Sequence, residues 1–170
     1  AIIEENLDPY DHAVILDYKG EFRGLVKEGF AKHYVVGERE LEHFGPEEWA
    51  TLLEANPRLV FERRDGMADE DWETVANDIV GGTRLLDGSV VYGIDEAHNV
   101  YPEKGSGDHP EHLSWLLRTG RSAGQSLIAI TQRLAEASSA LAGACMTTLI
   151  GGFNEKNDVD RLSGLTDYNE

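Results

Sequence analysis

One cysteine, Cys145, stands in 170 residues, so no internal disulfide framework can staple this chain. Its stability must come from burial, and the composition suits a reducing interior. Lysine is scarce too, with five lysines and ten arginines making up the 15 basic residues set against 32 acidic ones. No apolar run reaches the roughly 18 residues of a membrane span, and no secretory signal is visible at the start. The expected compartment is the cytoplasm. Internal repeats and low-complexity segments are also missing. So is any Gly-x-x-x-x-Gly-Lys-Ser/Thr, the loop that cradles nucleotide phosphates.

What is present is acid. A net charge of −17 repels nucleic acid in dilute buffer. Acid excess with little lysine resembles the proteins of salt-loving archaea, whose acidic surfaces keep them hydrated in concentrated potassium chloride. A merely acidic cytosolic protein is the alternative. The distinction matters because the Debye length falls to roughly 3 Å at 1 M salt, where net charge no longer forbids DNA binding. The length fits a single domain with a real core.

Periodicity places strands and helices in alternation. Ala13–Leu16 reads as a strand ending at Asp17, and Leu59–Phe61 as another. Residues 46–55 predict a helix with Pro46 in its first turn and Trp49, Leu52 and Leu53 on one face. Residues 69–80 predict a second, with Trp72, Val75, Ala76 and Ile79 inward, broken by Gly81-Gly82. A strand over 89–95 follows, then a loop over 99–109. A helix from about Pro110 turns Leu113, Leu116 and Leu117 inward. Ser126–Thr131 reads as a buried strand, 134–144 as an alanine-rich helix that buries Cys145 nearby, and Thr147–Ile150 as a last strand. Residues 1–7 resemble the tail of a helix, and Asn154 would cap a final one. The pattern is that of an α/β protein with a mainly parallel sheet, and such sheets carry their chemistry at the carboxyl ends of strands. Asp17, Asp95 and Gln132 all fall at such ends.

Val-Val-Tyr-Gly-Ile-Asp-Glu-Ala-His, residues 90–98, is the most informative stretch. An apolar strand ending in adjacent carboxylates suits a nucleotide hydrolase. Asp95 would hold the water shell of a phosphate-bound magnesium ion, and Glu96 would polarise the attacking water. Read without chemistry, it is a strand followed by a solvated acidic turn. Gln132, after the strand Leu127–Thr131, could touch the terminal phosphate or simply lead into a loop.

Taken together, Ile94-Asp95-Glu96-Ala97-His98, Arg118-Thr119-Gly120-Arg121-Ser122-Ala123-Gly124 and Ile128-Ala129-Ile130-Thr131-Gln132-Arg133 resemble the FtsK–HerA superfamily of RecA-like P-loop ATPases. The strand ending Leu16-Asp17-Tyr18-Lys19-Gly20-Glu21 looks like that superfamily's strand after the phosphate-loop helix. The resemblance implies an ATP-hydrolysing, magnesium-dependent motor that moves or packages DNA, assembled as a hexameric ring of identical subunits. It makes Asp95 the magnesium-shell acid, Glu96 the general base and Gln132 the phosphate sensor. Arg121, or alternatively Arg118, becomes the arginine finger given to the neighbouring subunit. Leu134 stands where these motors usually have proline soon after Thr-Gln-Arg. The missing phosphate loop is the larger departure. It implies either that the chain begins just after the loop or that the domain is a nonhydrolytic assembly or regulatory subunit. In the first case the central phosphate-loop strand would be missing too, so the sheet should show a gap or rearranged pairing.

Other constellations are weaker. His98, His109 and His112 with Asp95 and Asp108 offer a conceivable metal site, although loop histidines are usually solvated. Arg58, Arg63 and Arg64 could meet phosphate, but nearby acids favour a salt-bridged surface. The Asp-Glu-Ala-His tetrapeptide also suggests a helicase, yet neither a Ser-Ala-Thr strand end nor a Gln-x-x-Gly-Arg motif accompanies it.

Overall fold

A computed structural model describes residues 8–104, 108–151, 157, 158 and 160. Five strands form one sheet: β1 (His12–Asp17), β2 (Lys32–Val36), β3 (Arg58–Arg63), β4 (Val90–Ile94) and β5 (Gln125–Ala129). Every pairing is parallel, in the order β2-β3-β1-β4-β5. The α/β class and the parallel sheet are therefore as expected. Of the expected gap or rearranged pairing, there is no gap: β1 pairs directly with β3 on one side and β4 on the other. The sheet is continuous among the described residues, and β5 forms one edge with β4 as its single partner.

Both faces of a parallel sheet are covered, so its strands read as unbroken apolar runs. Ala13-Val14-Ile15-Leu16 is fully buried for this reason. Val14, Leu16, Leu59, Phe61, Tyr92 and Ile94 face a layer built from helices α3 (Pro46–Ala55), α4 (Asp69–Thr83) and α5 (Glu111–Thr119). Ala13, Ile15, Val60 and Val91 face the other way, toward Leu25 of the short α1 (Arg23–Lys27). Helix α2 (Glu38–His43) follows β2, and Glu40 accepts the Gly37 N–H at 2.9 Å to fix its start.

The structure corrects several expectations. Gly81-Gly82 does not break a helix, since α4 runs through both to Thr83. A Cβ on Gly82 would lie 2.8 Å from the Pro46 carbonyl oxygen and 2.9 Å from the Ala50 nitrogen, so glycine lets α3 and α4 touch. Tertiary contact overrides intrinsic propensity here. The alanine-rich helix starts late, as α6 (Ser139–Ala144), because the Ser138 hydroxyl caps it by accepting the Leu141 N–H at 3.1 Å. Residues 134–136 turn instead, and Ala137 bridges Pro102. Thr147–Ile150 is no strand: no described segment pairs with it, and unpaired extended chain is not a sheet. Cys145 is exposed, because α6 ends before it and buries Leu141 instead. The readings over residues 1–7 and from Asn154 onward fall almost wholly outside the described residues. No helix among those described is long and apolar enough to cross a membrane.

Candidate functional site

In register, Leu16 of β1 lies opposite Ile94 of β4, and Ile94 opposite Ala129 of β5. The next residues along each strand therefore emerge together at the carboxyl edge. The Asp95 N–H donates to the Leu16 carbonyl at 2.9 Å, which extends the ladder one residue past β4. Ile130 N–H donates to Ile94 at 2.9 Å, and the Ala97 N–H returns to the Ile130 carbonyl at 2.8 Å. The sheet thus sets the turn after β4 beside the segment that leads to Gln132.

Asp95 is 5% exposed and Glu96 3% exposed. Burying charge is costly unless it is compensated. Asp95 Oδ2 and Glu96 Oε2 are both buried without a hydrogen-bond partner. Burial, then the charges of Glu21 and Asp17, push the Asp95 carboxyl up to about 6, while Lys19 opposes the rise. Glu96 is the one non-glycine residue among those described with positive φ, at 43°. A left-handed glutamate costs free energy, and such strain gathers where a side chain must be aimed.

Asp17, fully buried, accepts the backbone N–H groups of Gly20 (2.8 Å), Glu21 (3.0 Å) and Phe22 (3.0 Å). The turn this creates sends Lys19 across to Glu96, with which it forms an ion pair. Below Glu96, the His98 Nδ1 lies 3.4 Å from Glu96 Oε2 and 2.9 Å from Thr131 Oγ1. Burial holds the His98 imidazole below its ordinary value, which favours its neutral form.

Of the sequence candidates, Asp95 and Glu96 lie together, and Gln132 follows the adjoining strand as an exposed residue. Arg121 is elsewhere. It sits in the 3-10 turn Gly120–Ala123 that precedes β5, at the amino edge of the sheet. Arg118, near the end of α5, is exposed and pairs with Asp108 at 3.2 Å.

The conceivable histidine metal site is not assembled. His98 stays by Glu96, His109 packs edge-on against Tyr101 and lies 3.7 Å from Glu73, and His112 meets Arg84 at 2.6 Å. Among the described residues, no group of three or more His, Cys, Asp or Glu could hold a metal ion. The arginines of β3 are engaged within the chain: Arg58 pairs with Asp8 at 3.2 Å, and the largely buried Arg63 with Asp69 at 3.6 Å while stacking 3.9 Å over the Tyr18 ring. Sequence reasoning missed Lys19, Glu21 and Thr131. The signal available was an acid and a lysine just past one strand, with a second acid pair past another that would pair with it.

The sequence matches no protein-family model and no curated protein. Solved structures do match. The genome packaging NTPase B204 from Sulfolobus turreted icosahedral virus 2 aligns in its ATP-gammaS complex with a TM-score of 0.52 and 16% identity, over 92% of this chain and 82% of that one. Its sulfate complex gives 0.54 and 17%, over 93% and 82%. The AMPPCP complex gives 0.51 and 17%, over 92% and 82%. The fold is that of an NTPase α/β core. At such identity the likeness carries the fold alone.

Proposed function

We propose that this chain is the core of an ATP-hydrolysing motor of the FtsK–HerA type that moves or packages DNA. The observation that carries the reading is the pair Asp95–Glu96. Two nearly buried carboxylates sit at the carboxyl end of an interior strand, each with a buried, unpartnered oxygen. On a fold shared with a genome packaging NTPase, that is where nucleotide chemistry is supported.

The donor set fits a hydrated magnesium ion. Asp95 has a free oxygen, and the neighbouring acids make its ionised form costly without a cation. Asp95 would hold the ion through water, and the ion would neutralise charge on the terminal phosphates. Glu96 would take a proton from the attacking water, and Gln132 would contact the terminal phosphate. An arginine from a neighbouring copy would stabilise the transferred group, which suits a hexameric ring. DNA is the expected cargo, and the cytoplasm of a salt-loving archaeal cell the expected setting. No Gly-x-x-x-x-Gly-Lys-Ser/Thr cradle lies within these 170 residues.

A nonhydrolytic assembly subunit is the second reading, and that missing motif favours it. One experiment separates the two. In the full-length protein, Glu96→Gln is expected to bind ATP normally and lower kcat by about 10²–10⁴-fold. Undiminished turnover in Glu96→Gln removes Glu96 from the chemistry. No turnover in the unsubstituted full-length protein, with ATP and magnesium supplied, favours the assembly subunit.

A further inference from the structure

We infer that the cleft at the amino ends of β2 and β3 binds one strand of DNA, with Phe30 stacking on a base and Lys32 and Arg58 meeting phosphates. The inference rests on the reading of the chain as a DNA motor, and it names a surface that the DNA touches.

The cleft follows from the turn after α1. That helix ends at Lys27, and Gly29 takes a φ of 77°, which reverses the chain. The Phe30 N–H then donates to the Leu25 carbonyl at 2.9 Å, which ties Phe30 against the end of α1. Strand β2 starts two residues later, at Lys32. In register Lys32 lies opposite Leu59, so Arg58 begins β3 beside it. Among the described residues β2 pairs with β3 alone, and no further strand covers its outer side. The space left is about 610 Å³, with Val26, Phe30 and Pro57 as apolar lining and Lys32, His33 and Arg58 as basic lining.

Charge singles this cleft out. The chain carries a net charge of −17, yet no described residue lining the cleft is acidic. The cleft beside Arg118 has Glu103 and Asp108 in its wall, and the one beside Arg64 has Glu38, Asp65 and Asp71. Lys32 donates to the neutral Asn56 side chain at 2.5 Å, which leaves its charge uncancelled. Arg58 pairs with Asp8, whose side chain is 78% exposed, and so exposed a pair is weak enough to yield to a phosphate. His33 is held by Glu62 at 2.9 Å and adds no net charge. Phe30 is left 40% exposed. An aromatic ring set among cations, with no carboxylate in the wall, suits a strand with open bases. A base stacks on the ring while the neighbouring phosphates meet ammonium and guanidinium.

The test follows the anisotropy of a short fluorescein-labelled single strand of mixed sequence titrated with the full-length protein, as potassium chloride rises from about 50 to 200 mM. Lys32→Gln and Arg58→Gln are each expected to flatten the slope of log K against log salt by about 0.7, and to weaken binding about fivefold at roughly 0.1 M salt. Phe30→Ala is expected to weaken binding about fivefold or more without moving the slope, and Phe30→Tyr, which keeps the ring, to restore it. Arg39→Gln removes a charge from α2, beyond the other end of β2, and is expected to leave the slope alone. An unmoved slope in Lys32→Gln and Arg58→Gln overturns the inference. Equal flattening in Arg39→Gln does so too, because total charge would then explain the effect. A polyglutamate peptide that binds as tightly as the strand also overturns it, and makes the occupant an acidic protein segment. If Phe30→Ala fails to fold, the charge variants decide, since Lys32 is exposed. ATP hydrolysis without DNA is expected to be unchanged in Lys32→Gln, and a loss there makes Lys32 structural and overturns its role. If the unsubstituted protein binds no DNA, the motor reading falls and the cleft with it. If it binds DNA and the slope alone does not move, only the cleft falls.

Discussion

Asp95 and Asp17 end neighbouring parallel strands, yet their carboxylates meet opposite conditions. Asp17 is enclosed by three backbone N–H groups, whereas Asp95 has a buried oxygen with no partner. The charge of Asp17 is one reason the Asp95 carboxyl rises to about 6.

That rise has a sign. An acid with a folded value near 6 and an ordinary value of 3.8 is costly to keep ionised in the fold above pH 6. The cost is relieved as pH falls through 6, and it vanishes below 3.8, where both states are protonated. Asp95→Asn should therefore be more stable than the parent at pH 8, by on the order of 1–2 kcal/mol after allowance for partial solvation. Paired denaturant melts at pH 8 and pH 5 check this. The difference should shrink toward pH 5, and a constant difference would contradict the assignment.

Gly82 offers a packing test. Alanine is the better helix former by up to about 1 kcal/mol. At this position, however, its methyl would sit 2.9 Å or less from backbone atoms of Pro46 and Ala50, which cannot swing aside. Overpacking should win, and Gly82→Ala should lose a net ~1–3 kcal/mol. Gly24 in α1 is the control, because a Cβ there meets nothing within 4 Å. Gly24→Ala should gain roughly 0.5–1 kcal/mol. Equal responses at the two sites would mean that α3 and α4 are not in this close contact.

The same glycines show where sequence reading reaches its limit. Strands β1, β3 and β4 and helices α3, α4 and α5 were legible, since long apolar runs or faces mark them. The edge strand β2 was not. Lys32, His33 and Val35 are exposed in it, so no apolar alternation marks it. The five- and six-residue helices α1 and α2 are too short to carry a period. Asp95 and Glu96 were legible because adjacent acids after an apolar run are a local pattern. The Lys19–Glu96 pair spans 77 positions and depends on which strands are neighbours. Thr147–Ile150 shows the converse, as strand propensity without a partner strand produced no strand.

Salt tests the charge of the surface. With 32 acidic and 15 basic residues, self-repulsion should destabilise the fold in dilute buffer. Screening shortens its range from ~10 Å at 0.1 M to ~3 Å at 1 M salt. The melting temperature should climb as potassium chloride rises through that interval. A flat or falling midpoint would argue for an ordinary acidic protein.

Arg121 carries the last prediction, and its position sharpens it. It lies ahead of β5, whereas Asp95 and Glu96 follow β4, at the opposite end of two paired strands. Five residues of strand at ~3.3 Å each put roughly 16 Å of sheet between those ends. A side chain at the amino edge does not span that distance, so a catalytic Arg121 would have to serve a neighbouring copy. Arg121→Ala subunits of the full-length protein should bind ATP and fail to hydrolyse it. Glu96→Gln subunits should behave alike for a different reason. Mixed together, the two should recover part of the turnover, because some interfaces pair an intact Glu96 site with an intact Arg121 donor. Fluorescence energy transfer between labelled subunits would verify that mixed assemblies form. Two inactive variants that stay inactive in verified mixtures would remove Arg121 from the chemistry. Arg118, at the same edge of the sheet, would then be tested in the same way.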